Sequence, residues 1–171
     1  PALGLTVEVA HVDHGLRGEA SARDAAFVAA FCRARGVPLH RFSAPEEGVV
    51  PPEGAGEAWA RQLRYGFFER LCREHGAKLA TAHTKNDQAE TLLLHLARGC
   101  GPAGAAGIPA VRGAVIRPFL TVSRRQTEAY CRALGQPWVM DETNAADNYA
   151  RNRVRRYALP ALETVNPQAV E

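Results

Sequence analysis

Residues 80–99, ATAHTKNDQAETLLLHLARG, decide how the rest of the chain is read. An apolar run stops at His83. A helix opens behind it with Asp87, Glu90 and Thr91 in its first turns, and Gly99 closes it. At about 100° per residue, Asp87, Glu90, Thr91 and Arg98 fall within about 80° of one another, with Ala89, Leu92, Leu93 and Leu96 opposite. Taken alone, this is an amphipathic helix with a solvated acidic face. Thr84 and Asp87 have the spacing of a capping arrangement, and acid is favoured at a helix start in any case. A second acid, Glu90, beside Asp87, with His83 one step before the cap, is more than a solvated face needs. Paired carboxylates at a strand–helix mouth suit a Mg²⁺ ion or an amino group.

The flanks repeat the pattern. LGLTVEVAHVDHG (3–15) reads as a buried strand emptying into a loop, and 18–35 as a helix with Ala25, Phe27, Val28, Phe31 and Cys32 on one face, stopped by Gly36. VPLHRFSAP (37–45) is a short strand, EEGVVPPEGAG (46–56) a loop, and 56–75 a long helix. AKLATAH (77–83) is the third strand and 85–98 the third helix, followed by a flexible connection at 100–113. AVIRPFL (114–120) is a fourth strand, and Ser123 caps a helix over 124–134. From about 141 the tail is polar, then arginine-rich, with helical character. Alternating strands and helices predict an α/β fold: one domain with a parallel sheet and helices on both faces. In such sheets ligands bind beyond the carboxyl ends of the strands, where His11–Asp13–His14 and His83–Asp87 both fall.

The 171 residues suffice for one domain with a real core, at 46% hydrophobic and 23% charged. No apolar run approaches the roughly 18–20 residues that cross a bilayer, and no charged-then-apolar leader opens the chain. Four scattered cysteines (Cys32, Cys72, Cys100, Cys131) without a CxxC predict reduced thiols in the cytoplasm and argue against a zinc or iron–sulfur site. Net charge is only +3, yet Lys78 and Lys85 are the only lysines. The remaining positive charge is arginine, which grips phosphates bidentately, although an Ala-, Gly- and Arg-rich genome gives the same bias. The chain starts at Pro1 and its only methionine is Met140, so residues upstream are expected.

Three further clusters stand out. HVDHGLRGE (11–19) puts two histidines, one aspartate and one arginine at a strand end, either as ordinary surface residues or as a ligand loop whose spacing fits no common zinc pattern. In EAWARQLRYGFF (57–68), Arg61, Arg64 and Tyr65 share a helix face, either as an exposed stripe or as a phosphate contact. YARNRVRRY (149–157) sets Arg151, Arg153, Arg155 and Arg156 between two tyrosines, a composition suited to nucleic-acid phosphates and bases.

In order along the chain, HVDHGLR (11–17), ARQLRYGFF (60–68), TAHTKNDQAETLLLHLARGCGPAG (81–104), IRPFL (116–120), W-x-x-D-x-T-N-x-x-D-x-Y-x-R-N-x-x-R (138–155) and LP (159–160) resemble the tRNA(Ile)-lysidine synthetases of the PP-loop superfamily, the N-type ATP pyrophosphatases. The resemblance covers nearly the whole chain. It implies a Rossmann-like sheet of the adenine nucleotide alpha hydrolase type and a ligase reaction. ATP adenylates the C2 oxygen of the wobble cytidine of tRNA(Ile) with a CAU anticodon, releasing pyrophosphate. The amine of free L-lysine then attacks C2 and expels AMP, giving lysidine. By motif position, Asp87, Glu90 and Thr91 would bind lysine, with Asp87, His83 and Arg64 catalytic. His11, Asp13, His14, Gly15 and Arg17 would line the ATP pocket. Arg61, Arg151, Arg153 and Arg155 would contact tRNA, the last three reaching its backbone or the adenylate phosphate. Mg²⁺ is the implied cofactor, with its ligands unassigned, and a homodimer is compatible with the resemblance; no membrane is involved.

Two departures follow. Family members often carry an acid where Asn86 stands, so one negative charge is lost. The Ser-Gly-Gly-x-Asp-Ser loop that cradles the pyrophosphate end of ATP, with the strand leading into it, does not occur in these residues. That strand would lie between those at 5–12 and 78–83, so a gap in the sheet is expected, and these residues by themselves are predicted not to turn over ATP. The C-terminal tRNA-binding modules of longer members also lie outside the sequence. Rival readings are a sister PP-loop tRNA thiolase, disfavoured by the missing CxxC, and a non-catalytic tRNA-binding remnant.

Overall fold

The computed structural model describes residues 4–139 and 149–170. These fall into two compact units, one ending at Ala77 and one beginning at Lys78. In the first, strand β1 (Val9–Asp13) pairs in parallel with β2 (Leu39–Ser43), Val9 opposite Leu39 and Asp13 opposite Ser43, and helix α1 (Glu19–Arg35) makes the crossover. Parallel strands need such a crossover because no tight turn can reverse the chain twice. Gly36 ends α1 in the left-handed conformation at φ 62°, as the sequence predicts, and Gly76 ends α2 (Glu57–His75) in the same way. Val12, Ala25, Cys32, Ala44, Ala60 and Phe67 form the buried apolar interior. Phe42 of β2 meets Phe67 of α2 with ring centroids 5.6 Å apart.

The second unit is built on β3 (Leu79–Ala80), parallel to β5 (Val115–Ile116). Strand β4 (Val111–Arg112) pairs antiparallel with β5 through a turn in which Gly113 has φ 60°. Here the expectations need correcting. The third strand has two residues rather than seven, although Leu79 and Thr81 each donate a backbone bond, to Ala114 and Ile116. The connection at 100–113 holds a short helix, α4 (Pro102–Ala105), and the antiparallel β4, so the sheet is not wholly parallel. Two short β-residues are too few to show an alternating pattern. Among the described residues β1–β2 and β3–β5–β4 are two separate sheets.

Helix α3 (Lys85–Ala97) follows β3, and α5 (Arg124–Ala133) starts at the capping box of Ser123 and Gln126. The described part of the tail is helical: α6 (Ala150–Arg153), a π-helical turn (Val154–Ala158) and α7 (Leu159–Val165). Pro160 has no N–H to offer the preceding turn, and the register widens just before it, where Leu159 N–H reaches the Val154 carbonyl. The acids and polar residues at 141–147 of the tail motif lie outside the described residues. No helix among those described is long and apolar enough to cross a membrane.

Candidate functional site

Each unit presents one arrangement of polar side chains beyond a strand end. In the first, β1 delivers Asp13 and His14 into a turn. Asp13 Oδ1 accepts from the Gly15 N–H at 2.8 Å, so the carboxylate folds the loop back on itself. Gly15 has φ 73°, and a Cβ there would meet Pro45 Cγ at 2.8 Å. Only glycine fits both conditions. The turn opens onto a cavity of about 250 Å³ lined by His11, Asp13, His14, Arg17 and Arg64, with Asp24 of α1 across from them. Arg17 NH2 donates to Asp24 Oδ2 at 2.6 Å. His14 Nε2 is buried with no hydrogen-bond partner.

Burial holds His11 below the ordinary imidazole value of 6.5 and outweighs the attraction of Asp13. His14 is lowered too, by burial first and then by the Arg64 guanidinium. Both rings are therefore neutral at neutral pH, and each can donate or accept toward a ligand. Arg61, one turn from Arg64 on α2, stacks instead on Tyr65 with its guanidinium carbon 4.5 Å from the ring centroid.

In the second unit the acids of α3 behave differently from what the helical wheel predicts. Glu90, placed on a solvated face by periodicity, is fully buried, while Leu96 on the expected inner face is 55% exposed. The reason lies far along the chain. Arg155 donates to both oxygens of Glu90, Nε to Oε1 at 2.6 Å and NH2 to Oε2 at 3.0 Å. Arg151 spans the two acids, Nε to Glu90 Oε2 at 2.7 Å and NH2 to Asp87 Oδ1 at 2.9 Å. Arg124 stands 3.5 Å from Glu90 and 4.0 Å from Asp87. A carboxylate enters the interior only when paired and hydrogen-bonded, and three arginines meet that condition here.

Asp87 is also the reciprocal partner in the cap: its Oδ2 accepts from the Thr84 N–H at 2.8 Å and from the Thr84 hydroxyl at 2.7 Å. Burial raises its pKa. The Thr84 bonds, with Arg151 and Arg124, outweigh that and leave it below the ordinary carboxylate value of 3.8. Arg155 is raised, chiefly by its bond to Glu90.

Of the residues singled out in sequence, His11, Asp13, His14, Gly15, Arg17 and Arg64 come together at the first arrangement. Asp87, Glu90, Arg151 and Arg155 come together at the second, where both arginines are turned to the acids. His83 sits beside its cap, its Nδ1 2.9 Å from the Thr81 hydroxyl. Thr91 is half-buried, and Arg153 is exposed on the tail. Arg124 was not foreseen. Its signal is indirect: the Ser123 cap fixes it at the first helical position, and its N–H donates to Asn86 Oδ1 at 2.8 Å. Asn86 thus supplies an acceptor to the start of α5.

The carboxylate pair fits a Mg²⁺ ion poorly, because Asp87 and Glu90 already face guanidinium and Thr84 donors. A hard cation would have to displace those donors and tolerate three arginines as neighbours. The pair does suit cationic groups, since that is what it holds.

The sequence matches the family model for the PP-loop domain over residues 2–162. Among curated relatives, the tRNA(Ile)-lysidine synthase of Symbiobacterium thermophilum is 46% identical over 167 residues, covering 95% of this chain and 35% of the relative. That of Bacteroides thetaiotaomicron is 39% identical, covering 96% and 39%. That of Salinispora tropica is 48% identical over 178 residues, covering 100% and 52%. The chain therefore spans between about a third and a half of the length of these relatives. Among solved structures, the U34-tRNA thiolase NcsA from Methanococcus maripaludis, determined with its 4Fe–4S cluster, superposes with a TM-score of 0.74 over 95% of this chain and 57% of that one. At 15% identity it shows a common fold.

Proposed function

The chain belongs to the PP-loop domain family, and on that premise we propose that it is the nucleotide-handling part of an enzyme that joins lysine to C2 of the wobble cytidine of tRNA(Ile) with a CAU anticodon. In this reading the C2 oxygen attacks the α-phosphorus of ATP and pyrophosphate leaves. The lysine amine then attacks C2, and AMP leaves with the oxygen. The observation that carries the reading is the acid pair on α3, a buried Glu90 beside a half-buried Asp87. Asp87 and Glu90 are both hydrogen-bonded by the Arg151 guanidinium, about a third of whose side chain is exposed, with Arg124 farther off at 3.5 and 4.0 Å. A substrate ammonium can take that bridging place, and Arg151, once exchanged, becomes available to phosphate oxygens of the adenylate or the tRNA.

Asp87 acts here as an anchor rather than as a base. A carboxylate held below its ordinary pKa is poorly suited to take a proton from an ammonium. Glu90 completes the cation seat, Thr91 flanks it on α3, and His83 borders the same helix start. The 11–17 loop supports an adenosine site. Its cavity is below the roughly 300–1,000 Å³ of pockets that enclose a drug-sized ligand, which suits the base or sugar rather than the whole nucleotide. His14, with its unpartnered Nε2, can bond that portion, and Arg64 beside it supplies positive charge toward phosphate. Arg61 and Arg153 remain candidates for tRNA backbone contacts. No step is assigned to a metal. Both substrates place the activity in the cytoplasm.

The test is lysine-dependent AMP release from ATP with an unmodified tRNA(Ile) transcript bearing CAU, measured on the full translation product that contains these residues. Asp87→Asn should abolish release while retaining tRNA binding. Undiminished release by that variant, or release without lysine, overturns the reading.

A further inference from the structure

At the amino end of β1, away from the 11–17 loop, three metal-ligating side chains from three elements converge. Glu8 directly precedes β1, His40 lies in β2 opposite Ala10, and His75 is the last residue of α2. His40 Nε2 is 2.7 Å from Glu8 Oε2, and His75 Nδ1 is 3.1 Å from the same oxygen. The two imidazole rings meet edge to face with centroids 4.8 Å apart. One ligating atom from each residue lies within 4.8 Å of the other two. About a third of each side chain is exposed, which leaves a solvent-facing side for water. None of the three takes part in the proposed reaction.

From this juxtaposition we propose a binding site for a borderline divalent transition ion, Zn²⁺ being its natural occupant, that pins β1, β2 and α2 together. Two imidazole nitrogens and one carboxylate oxygen are a common zinc donor set, with water completing the tetrahedron. Zinc bonds of about 2.0–2.1 Å place tetrahedral ligand atoms about 3.3 Å apart. From 2.7 Å and 3.1 Å, Glu8 Oε2 has to recede by about 0.6 Å from His40 Nε2 and about 0.2 Å from His75 Nδ1, and the two nitrogens, within 4.8 Å of each other, have to settle at the same tetrahedral spacing. For the ion to bind, His40 must offer the Nε2 lone pair and His75 the Nδ1 lone pair. Each ring then carries its proton on the other nitrogen, and a ring protonated beforehand releases a proton to solvent. The donor set excludes Mg²⁺ and Ca²⁺, which take oxygen ligands. Because the ion binds the folded arrangement and bridges residues distant in sequence, it stabilises the first unit by mass action.

The experiment is a Zn²⁺ titration of the intact chain against a chromophoric chelator, with the four cysteines kept reduced. Co²⁺ spectra and the thermal midpoint are followed in parallel. One ion per chain is expected, with the visible bands of a four-coordinate Co²⁺ site lacking thiolate charge transfer, and a rise of several degrees in the midpoint at saturating Zn²⁺. His40→Ala should weaken binding at least tenfold. His75→Gln, at a half-exposed helix end where folding is less at risk, should do the same, and Glu8→Gln should weaken binding and remove the midpoint shift. Affinity unchanged in His75→Gln, thiolate bands in the Co²⁺ spectrum, or no stoichiometric binding each overturns the proposal.

Discussion

The two units place polar groups beyond their strand ends in opposite states. The turn after β1 leaves groups unspent: His14 Nε2 has no partner, both histidines are held neutral, and a cavity faces them. The acids on α3 are saturated, with four carboxylate oxygens facing Thr84 and three arginines. A site of the first kind gains hydrogen bonds when a ligand arrives. One of the second kind must exchange a partner it already has, so selectivity there is a competition between two cations and not a simple capture. In the proposed reading a nucleotide enters the first and an amine the second.

The largest effect that would break the contrast is on Glu90. Glu90→Gln removes the charge around which Arg155 and Arg151 are arranged, and should cost about 3–5 kcal/mol in urea unfolding, as breaking a buried pair does. A loss within error of zero would mean that the arginines, and not the acid, hold the tail in place. Gly15→Ala tests the other region. At φ 73° with Pro45 in the way, it should cost about 1–2 kcal/mol and shrink the cavity, read as a weaker response of the His14 ring signals to added adenosine.

Acid titration sharpens the comparison further. A histidine whose folded pKa lies below 6.5 leaves the unfolded state holding more protons just below that pH. Stability from His11 and His14 is thus full above 6.5 and falls as pH drops from there to their lowered folded values. Asp87 is likewise depressed in the fold, but from a much lower starting value. Its contribution is present above 3.8 and is lost only as pH falls through its lower folded value. Unfolding free energy should therefore decline in two separate limbs, and His14→Asn should reduce the mild-acid limb alone. The smallest expected change is Arg61→Ala, where loss of an exposed stack on Tyr65 costs about 0.5–1 kcal/mol and leaves both arrangements intact.

Much of this was legible locally. The glycine closing α1, the Ser123 cap and the Thr84–Asp87 capping arrangement are signals confined to a few residues, and each is found where the sequence puts it. The loop at 11–17 was readable because its residues are neighbours in the chain. Glu90 was misread because a helical wheel knows only the helix itself, and what buries this acid arrives 65 residues later. Strand β4 was missed for want of length, and Arg124 because nothing near it in sequence is acidic until Glu128. The Glu8–His40–His75 cluster is invisible to spacing rules for the same reason: it joins three elements.

The distance between Glu90 and its arginines also has a temporal side. A chain emerging from the ribosome completes α3 some sixty residues before Arg151 and Arg155 exist, and Arg124 alone can shield the acid in the interval. During synthesis the face that will be innermost must stay wet. Docking of the tail is therefore expected to be the late step that completes the second unit. Truncation before residue 151 should yield a chain whose first unit is protected from proteolysis while α3 is cut.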